Sequence, residues 1–250
     1  MKKLLLSLFL LMPALAWAQA SDLVSELTRD HVDITARYTG DSITLFGAMS
    51  GPGQIVVKVR SPDQPVALER KGEVGPLWLS QGKHDITGAP GLYYLLSSAP
   101  IDDILPAAVR EANGLDLSDA LTNMKLEPAP EDAAARQTLV DAMLRLEQTR
   151  RHYVVDPKAV EIFGGRLYSA VINLPAKLPL GQYAVEIYLV RDGHVVATEQ
   201  RRIEVHEVLM EHWISSVATN HSWTFGVIFS LGMMLLGLFL GMVLGRSKKN

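Results

Sequence analysis

Between residues 31 and 98 apolar and polar positions alternate in short runs, broken about every 8 to 12 residues by Gly, Pro, Asp or Ser. A period of two puts successive side chains on opposite faces of a strand, so each run predicts a strand with one buried face. Val32, Ile34, Ala36 and Tyr38 alternate with Asp33, Thr35 and Arg37, and Ile43 and Leu45 resume the pattern beyond Thr39-Gly40-Asp41. Ile55, Val57 and Val59 repeat it before Ser61-Pro62, and shorter runs follow at 66–70, 77–79 and 92–96. About six strands are expected here.

The pattern then lengthens to a helical period. Residues 101–112 and 116–124 predict short helices, and 131–151 a longer one, opened by Pro128-Ala129-Pro130 and acidic residues. In the longer helix Ala135, Leu139, Ala142, Met143 and Leu146 fall on one face. Strands return at 166–174, 183–191 and 194–205, the last two joined by Asp192-Gly193, a two-residue hairpin turn. The segment from Leu178 to Tyr183 resembles the corner of immunoglobulin-like sandwiches where a tyrosine hydroxyl ties back to the backbone. Three strands cannot enclose a core alone. The expectation is therefore a mainly β fold, an immunoglobulin-like β-sandwich built from both strand groups with a helical insertion; two separate sandwiches are the alternative.

The two ends change the picture. Lys2 and Lys3 precede an apolar stretch of about a dozen residues and then Ala16-Trp17-Ala18-Gln19-Ala20, the pattern of a secretory signal peptide cleaved after Ala18 or Ala20. Near the other end the run from Trp223 to Leu244 carries no charge, and at about 1.5 Å per residue it covers roughly 33 Å, enough for a hydrocarbon core of about 30 Å. Arg246, Lys248 and Lys249 follow it, which by the positive-inside rule holds the tail in the cytoplasm and places the middle of the chain outside. The expected division is a signal peptide at 1–20, sandwich strands at 21–99 and 153–205, a helical insertion at 100–152, a juxtamembrane segment at 206–222, one C-terminal transmembrane helix at 223–245 and a tail at 246–250. Gly237, Gly241 and Gly245 recur every fourth residue and clear one helix face for docking against another helix, although Gly is common in spans that never dimerise.

Charge and composition remove functions. The net charge is −3, and Lys2, Lys3, Arg246, Lys248 and Lys249 all lie in the end segments, so the region between them is more acidic still. That argues against nucleic acid as a partner. With no cysteine, thiol redox chemistry, Cys-ligated zinc, a lipidated N-terminal cysteine and a cysteine nucleophile are excluded. Among seven histidines, His206, Met210 and His212, with His221 beyond, are the metal candidates, a His/Met set of the kind that holds copper; their spacing favours instead polar residues beside the interfacial Trp213 and Trp223. His84-Asp85 is the one compact acid/base pair, and Gly-x-Ser-x-Gly, His-Glu-x-x-His and Gly-Lys-Ser/Thr motifs are all absent. Asp102-Asp103 and Glu131-Asp132 stand at helix starts, where carboxylates favour the dipole. No enzyme activity and no cofactor is expected. Trp78, Tyr93 and Tyr94 form the candidate exported binding surface, with core packing of the two tyrosines as the alternative.

Ile43-Thr44-Leu45-Phe46-Gly47-Ala48, Gln54-Ile55-Val56-Val57-Lys58-Val59, Arg70-Lys71, Gly75-Pro76-Leu77-Trp78-Leu79 and Pro90-Gly91-Leu92-Tyr93-Tyr94 together resemble the family of putative transmembrane proteins of alphaproteobacteria, along the whole chain. The chain departs from that pattern at Gln54-Ile55-Val56-Val57 and Ser61-Pro62. The resemblance implies a bacterial inner-membrane protein, single-pass, with a periplasmic N-terminal domain. Because members are often encoded beside a sulfite exporter of the TauE/SafE type, it also implies a membrane-protein partner, an anion exporter, with self-association through the transmembrane helix as the alternative.

Overall fold

The computed structural model of the chain describes residues 21–35, 37–74, 77–130, 132–208, 226–227 and 230–239, with the backbone alone along 70–74 and 77–82. It is mainly β. β1 (Leu23–Leu27), β3 (Asp41–Met49), β11 (Leu167–Leu174) and β10 (Val160–Phe163) form one antiparallel sheet in that order. The second sheet runs β2 (His31–Ile34), β13 (His194–Glu207), β12 (Gly181–Arg191), β4 (Gln54–Arg60), β7 (Tyr93–Ser97) and β9 (Tyr153–Asp156). The sheets pack face to face, as a sandwich built from both strand groups. Ile43, Leu45 and Ile172 of the first sheet meet Val57, Val59, Val185, Ile187 and Leu189 of the second in one buried core. Each fully buried aliphatic side chain contributes roughly 1.5–3 kcal/mol.

The outer face of the second sheet is covered as well. Val56, Tyr93, Leu95 and Tyr188 pack under Leu105, Leu115, Leu121 and Met143 of the insertion, which is why Ile55-Val56-Val57 is continuously apolar and not alternating. The insertion comprises α1 (Ile101–Ile104), α2 (Ala107–Asn113), a 3-10 turn (Leu117–Leu121), β8 (Lys125–Glu127) and α3 (Ala133–Thr149). The single helix expected over 101–112 is split at Pro106, because the residue before a proline avoids the helical region and Leu105 is extended. α2 closes on Gly114, whose φ of 60° suits a left-handed cap. Asp132 caps α3 by accepting from Ala135 N at 2.6 Å. Lys58 Nζ ties sheet to insertion, 2.6 Å from Glu186 and 3.1 Å from Asn113 O. Burial works to raise the Glu186 carboxyl, but its bonds to Lys58 and Tyr188 outweigh that and hold it below the ordinary range.

Two expectations need correction. β5 (Val66–Val74) and β6 (Leu77–Thr87), read as sandwich strands, pair with β8 in a separate three-stranded sheet within the insertion layer, since alternation fixes a strand's faces and not its sheet. Four short strands, β1, β8, β9 and β10, were not foreseen. Among the described residues no helix is long and apolar enough to cross a membrane, and 223–225, 228–229 and 240–245 of the expected span lie outside them. Within the span expected at 223–245 the described parts, 226–227 and 230–239, are helical, with Leu231, Met234, Leu236 and Phe239 exposed. The Asp192-Gly193 hairpin is as expected, with φ of 48° and 76°. So is the corner: Tyr183 OH donates to Pro179 O at 2.9 Å.

Candidate functional site

The two lateral sides of the sandwich are built differently, and one is open. β9 pairs with β7 in parallel, because the insertion carries the chain away after β7 and returns it to start at the same end. Tyr93 N donates to His152 O at 2.9 Å, so in this ladder the even-numbered residues of β9 bond to β7, while Tyr153 and Val155 turn their backbone groups the other way. In the facing sheet β11 has eight residues and β10 only four, paired from Val160↔Ala170 to Phe163↔Leu167. Beyond that register Ala159 stands opposite Val171, and among the described residues no strand pairs with the rest of β11 on its outer side. Met49 N bonds to Arg166 O at 2.8 Å on the β3 side, so the odd-numbered residues Val171 and Asn173 point their backbone groups away from β3.

These two free edges line a cleft of about 770 Å³. Leu96, Val154, Ala159 and Leu174 give it an apolar floor, and Gln148, Arg151, Lys158 and Asn173 a polar rim. Tyr94 rises from the inner face of β7, its hydroxyl 3.0 Å from Asn173 O and 3.2 Å from Arg151 O, sharing one proton between the two carbonyls. Burial pushes this hydroxyl up to about 12, so it keeps its proton at neutral pH and can donate to the two carbonyls. Among the described residues the Arg151 and Lys158 side chains have no carboxylate partner. Arg151 sits at the turn from α3 into β9 with a φ of 59°. Next to it the buried Glu147 holds the turn, accepting from Arg150 at 3.0 Å and facing His152 Nδ1 at 2.8 Å. Asp156 and Glu161 also line the cleft, and Asp156 Oδ1 already accepts from Lys158 N at 3.0 Å.

The residues singled out from sequence lie mostly elsewhere. Tyr93 and Tyr94 are 2% and 5% exposed and face opposite ways, Tyr93 donating to Gly114 O at 2.9 Å under the insertion. Neither is an exposed surface, and Tyr94 belongs to the cleft floor. Trp78 lies on β6, where the backbone alone is described. His84 Nδ1 is 3.0 Å from Pro128 O and Asp85 pairs with Lys83 at 3.0 Å, so the two do not bond to each other. His206 faces Glu204 at 3.1 Å, beside His31, in a shallow hollow on the outer face of β13. Among the described residues no group of three or more His, Cys, Asp or Glu is placed to hold a metal ion. Met210, His212, His221, Gly241 and Gly245 lie outside the described residues; at Gly237 a Cβ would meet nothing within 4 Å. The cleft residues Arg151, Lys158, Val171 and Asn173 were not anticipated. Their one sequence signal is the mismatch between an eight-residue strand and a four-residue neighbour, which needs the pairing to be known.

A β-sandwich with a covered outer sheet face and one open lateral cleft is thus the class of protein the fold defines. The chain belongs to the family described as "Putative transmembrane protein" (Alph_Pro_TM), whose model matches residues 22–246. No curated protein matches it.

Proposed function

We propose that this protein is a membrane-anchored interaction module of the bacterial envelope and not an enzyme: an exported sandwich recognises a partner through its lateral cleft, and a C-terminal span holds it in the inner membrane. The observation that carries this reading is the cleft itself, an apolar floor between two strand edges that end their sheets among the described residues. The immunoglobulin-like assignment is supported by strand order. β1-β3-β11-β10 follows the A-B-E-D order, and β13-β12-β4 the G-F-C order with further strands beyond β4, while Tyr183 supplies the corner. The anchor is supported by the family description and by the uncharged run at 223–245. The N-terminal domain is then periplasmic, the tail cytoplasmic, and Gly237, Gly241 and Gly245 dock on a multi-span partner, an anion exporter of the TauE/SafE type by the resemblance given above, or on a second copy.

The test is photo-crosslinking in native membranes from a probe at Val155, in the cleft, and from a control probe at Thr198, exposed on β13. Capture from Val155 and not from Thr198 is expected, with the captured set altered by Gly241→Ile. Equal capture from both positions, or from neither, rejects the cleft as a recognition surface. An unchanged set in Gly241→Ile reduces the span to an anchor.

A further inference from the structure

We infer that the outer face of the first sheet docks a second copy of this chain, stacked sheet to sheet about a two-fold axis that runs along the strands. This goes beyond the cleft reading and shares with it only the proposed anchor. The registers Val24↔Ala48, Ala48↔Leu167 and Leu167↔Phe163 set four residues side by side across β1, β3, β11 and β10. All four point away from the core, since their chain neighbours Leu23, Met49, Tyr168 and Ile162 are the ones packed into it. Phe46, two residues back along β3, stands on the same outer face. The large side chains of this group are exposed from 45% at Phe46 to 57% at Leu167. Exposed apolar residues scattered singly need no explanation, but a row that crosses a whole sheet marks a surface made to be covered.

What fits the row is the same row reversed. An axis between β3 and β11 brings Ala48 of one copy against Leu167 of the other, and Val24 against Phe163, so each smaller side chain meets a larger one. One step along the strands Phe46 meets Ser169 in the same way. Stacked sheets lie about 10 Å apart and cross at about 30°, so the match is closest at the centre and loosest at the rims, where Glu26 and Glu161 face each other through solvent. Four strands about 4.8 Å apart and about eight residues long give roughly 500 Å² in projection, and more as accessible surface, against the about 800 Å² per partner of a standard interface. That suits a weak pair, which confinement in one membrane strengthens. The row lies at the end of the sandwich where the β3–β4 and β12–β13 turns meet, Arg191 Nε donating to Pro52 O at 3.0 Å, while β13 reaches Glu207 at the opposite end. Copies anchored beyond Glu207 in one membrane stand the same way up and hold their rows at one height, as this axis requires.

Two full-length copies with different affinity tags are co-expressed, one carrying a photo-crosslinking residue at Ser169, and adducts bearing both tags are measured in native membranes. Thr198, exposed on β13, is the control position. Doubly tagged adduct from Ser169 is expected at about five times the Thr198 level or more. Ala48→Leu sets large against large in a like pair, and Leu167→Ala small against small. A mixed pair of these two variants restores both contacts, because positions 48 and 167 meet twice about the axis, and it should give about threefold more adduct than either like pair. Leu167→Glu, at a position more than half exposed, leaves the denaturant midpoint in place and lowers the adduct about fivefold. Gly241→Ile leaves the mixed-pair ratio unchanged, since the sheet face and not the span sets it. The inference is overturned if Ser169 captures no second copy, if Thr198 captures it equally well, or if mixed and like pairs give equal yields. Loss of capture from Val155 with the mixed-pair ratio intact rejects the cleft and keeps this face; the reverse result rejects this face and keeps the cleft.

Discussion

The sandwich has two lateral sides, and they handle the same problem in opposite ways. Where β1 meets β13 the side is sealed. The Arg201 guanidinium donates twice to Ser25 O, at 2.9 and 2.6 Å, Ser25 Oγ donates to Glu199 at 2.6 Å, and Tyr168 OH donates to Ser25 Oγ at 2.7 Å. After β1 the chain switches sheets, Glu204 N bonds to Asp30 O at 2.8 Å, and β2 pairs with the end of β13. On the other side β9 and β10 are four residues each, and the cleft stays open between them and β11. Open strand edges carry an aggregation hazard that folded proteins suppress. A fold that seals one side with a fully satisfied polar network has the means to seal the other, and the open edge is therefore informative about use.

The hardest way to break the comparison is at Gly47. A Cβ there would collide with the backbone oxygen of Val24 and the ring of Tyr168, inside the sealed side. Gly47→Val is expected to cost about 3 kcal/mol or more, read as a fall in the denaturant midpoint, and to detach β1 from the sheet. A midpoint within about 0.5 kcal/mol of wild type would show that the seal does not depend on this close approach. Ser25→Ala comes next. It removes the hydroxyl that accepts from Tyr168 and donates to Glu199, and leaving buried groups unsatisfied costs about 1–3 kcal/mol. Crosslinking from Val155 should be unaffected, because the cleft shares no residue with this network.

How much of this contrast could be read in advance depends on which physical quantity each part rests on. β4 and β12 were legible because Ile55, Val57, Val59, Val185 and Ile187 recur at every second position on the core face, and the β12–β13 turn because Asp192-Gly193 admits positive φ. β1 was hidden because Val24, exposed on the outer face, interrupts the alternation of Leu23, Ser25 and Leu27. Glu147 carries no sign of burial in the sequence, yet it is 3% exposed, because Arg150 and His152 pair with it at the turn into β9. The cleft was the least legible feature. It arises from the relative lengths of β10 and β11 and from the parallel β7–β9 pairing, both non-local, while Arg151, Lys158 and Asn173 are ordinary surface residue types.

Tyr94 on the open side and Tyr168 on the sealed side permit a matched test. Burial pushes both hydroxyls up to about 12 from the ordinary 10.0. The unfolded chain ionises first as pH rises, so the stability these groups contribute is complete below pH 10 and is lost as pH approaches 12. Tyr94→Phe is expected to cost about 1 kcal/mol at neutral pH and to flatten part of that alkaline loss. It also frees Asn173 O, which lengthens the unpaired edge of β11. An unchanged alkaline slope in Tyr94→Phe would mean that the hydroxyl is solvated in the open cleft, and that the floor is wetter than its lining indicates.

The smallest expected effect separates the sides most cleanly. Arg201 is fixed by Ser25 O and Glu199, so Arg201→Gln should cost about 1 kcal/mol and leave crosslinking from Val155 as it was. Lys158 has no carboxylate partner among the described residues, so Lys158→Gln should move the denaturant midpoint by no more than about 0.5 kcal/mol. The two cations differ in what holds them, not in type: one is committed within the fold, and the other has no ion pair among the described residues. If Lys158→Gln destabilises the free protein as much as Arg201→Gln does, Lys158 is a structural cation, and the contrast between a sealed and a waiting side loses its electrostatic half.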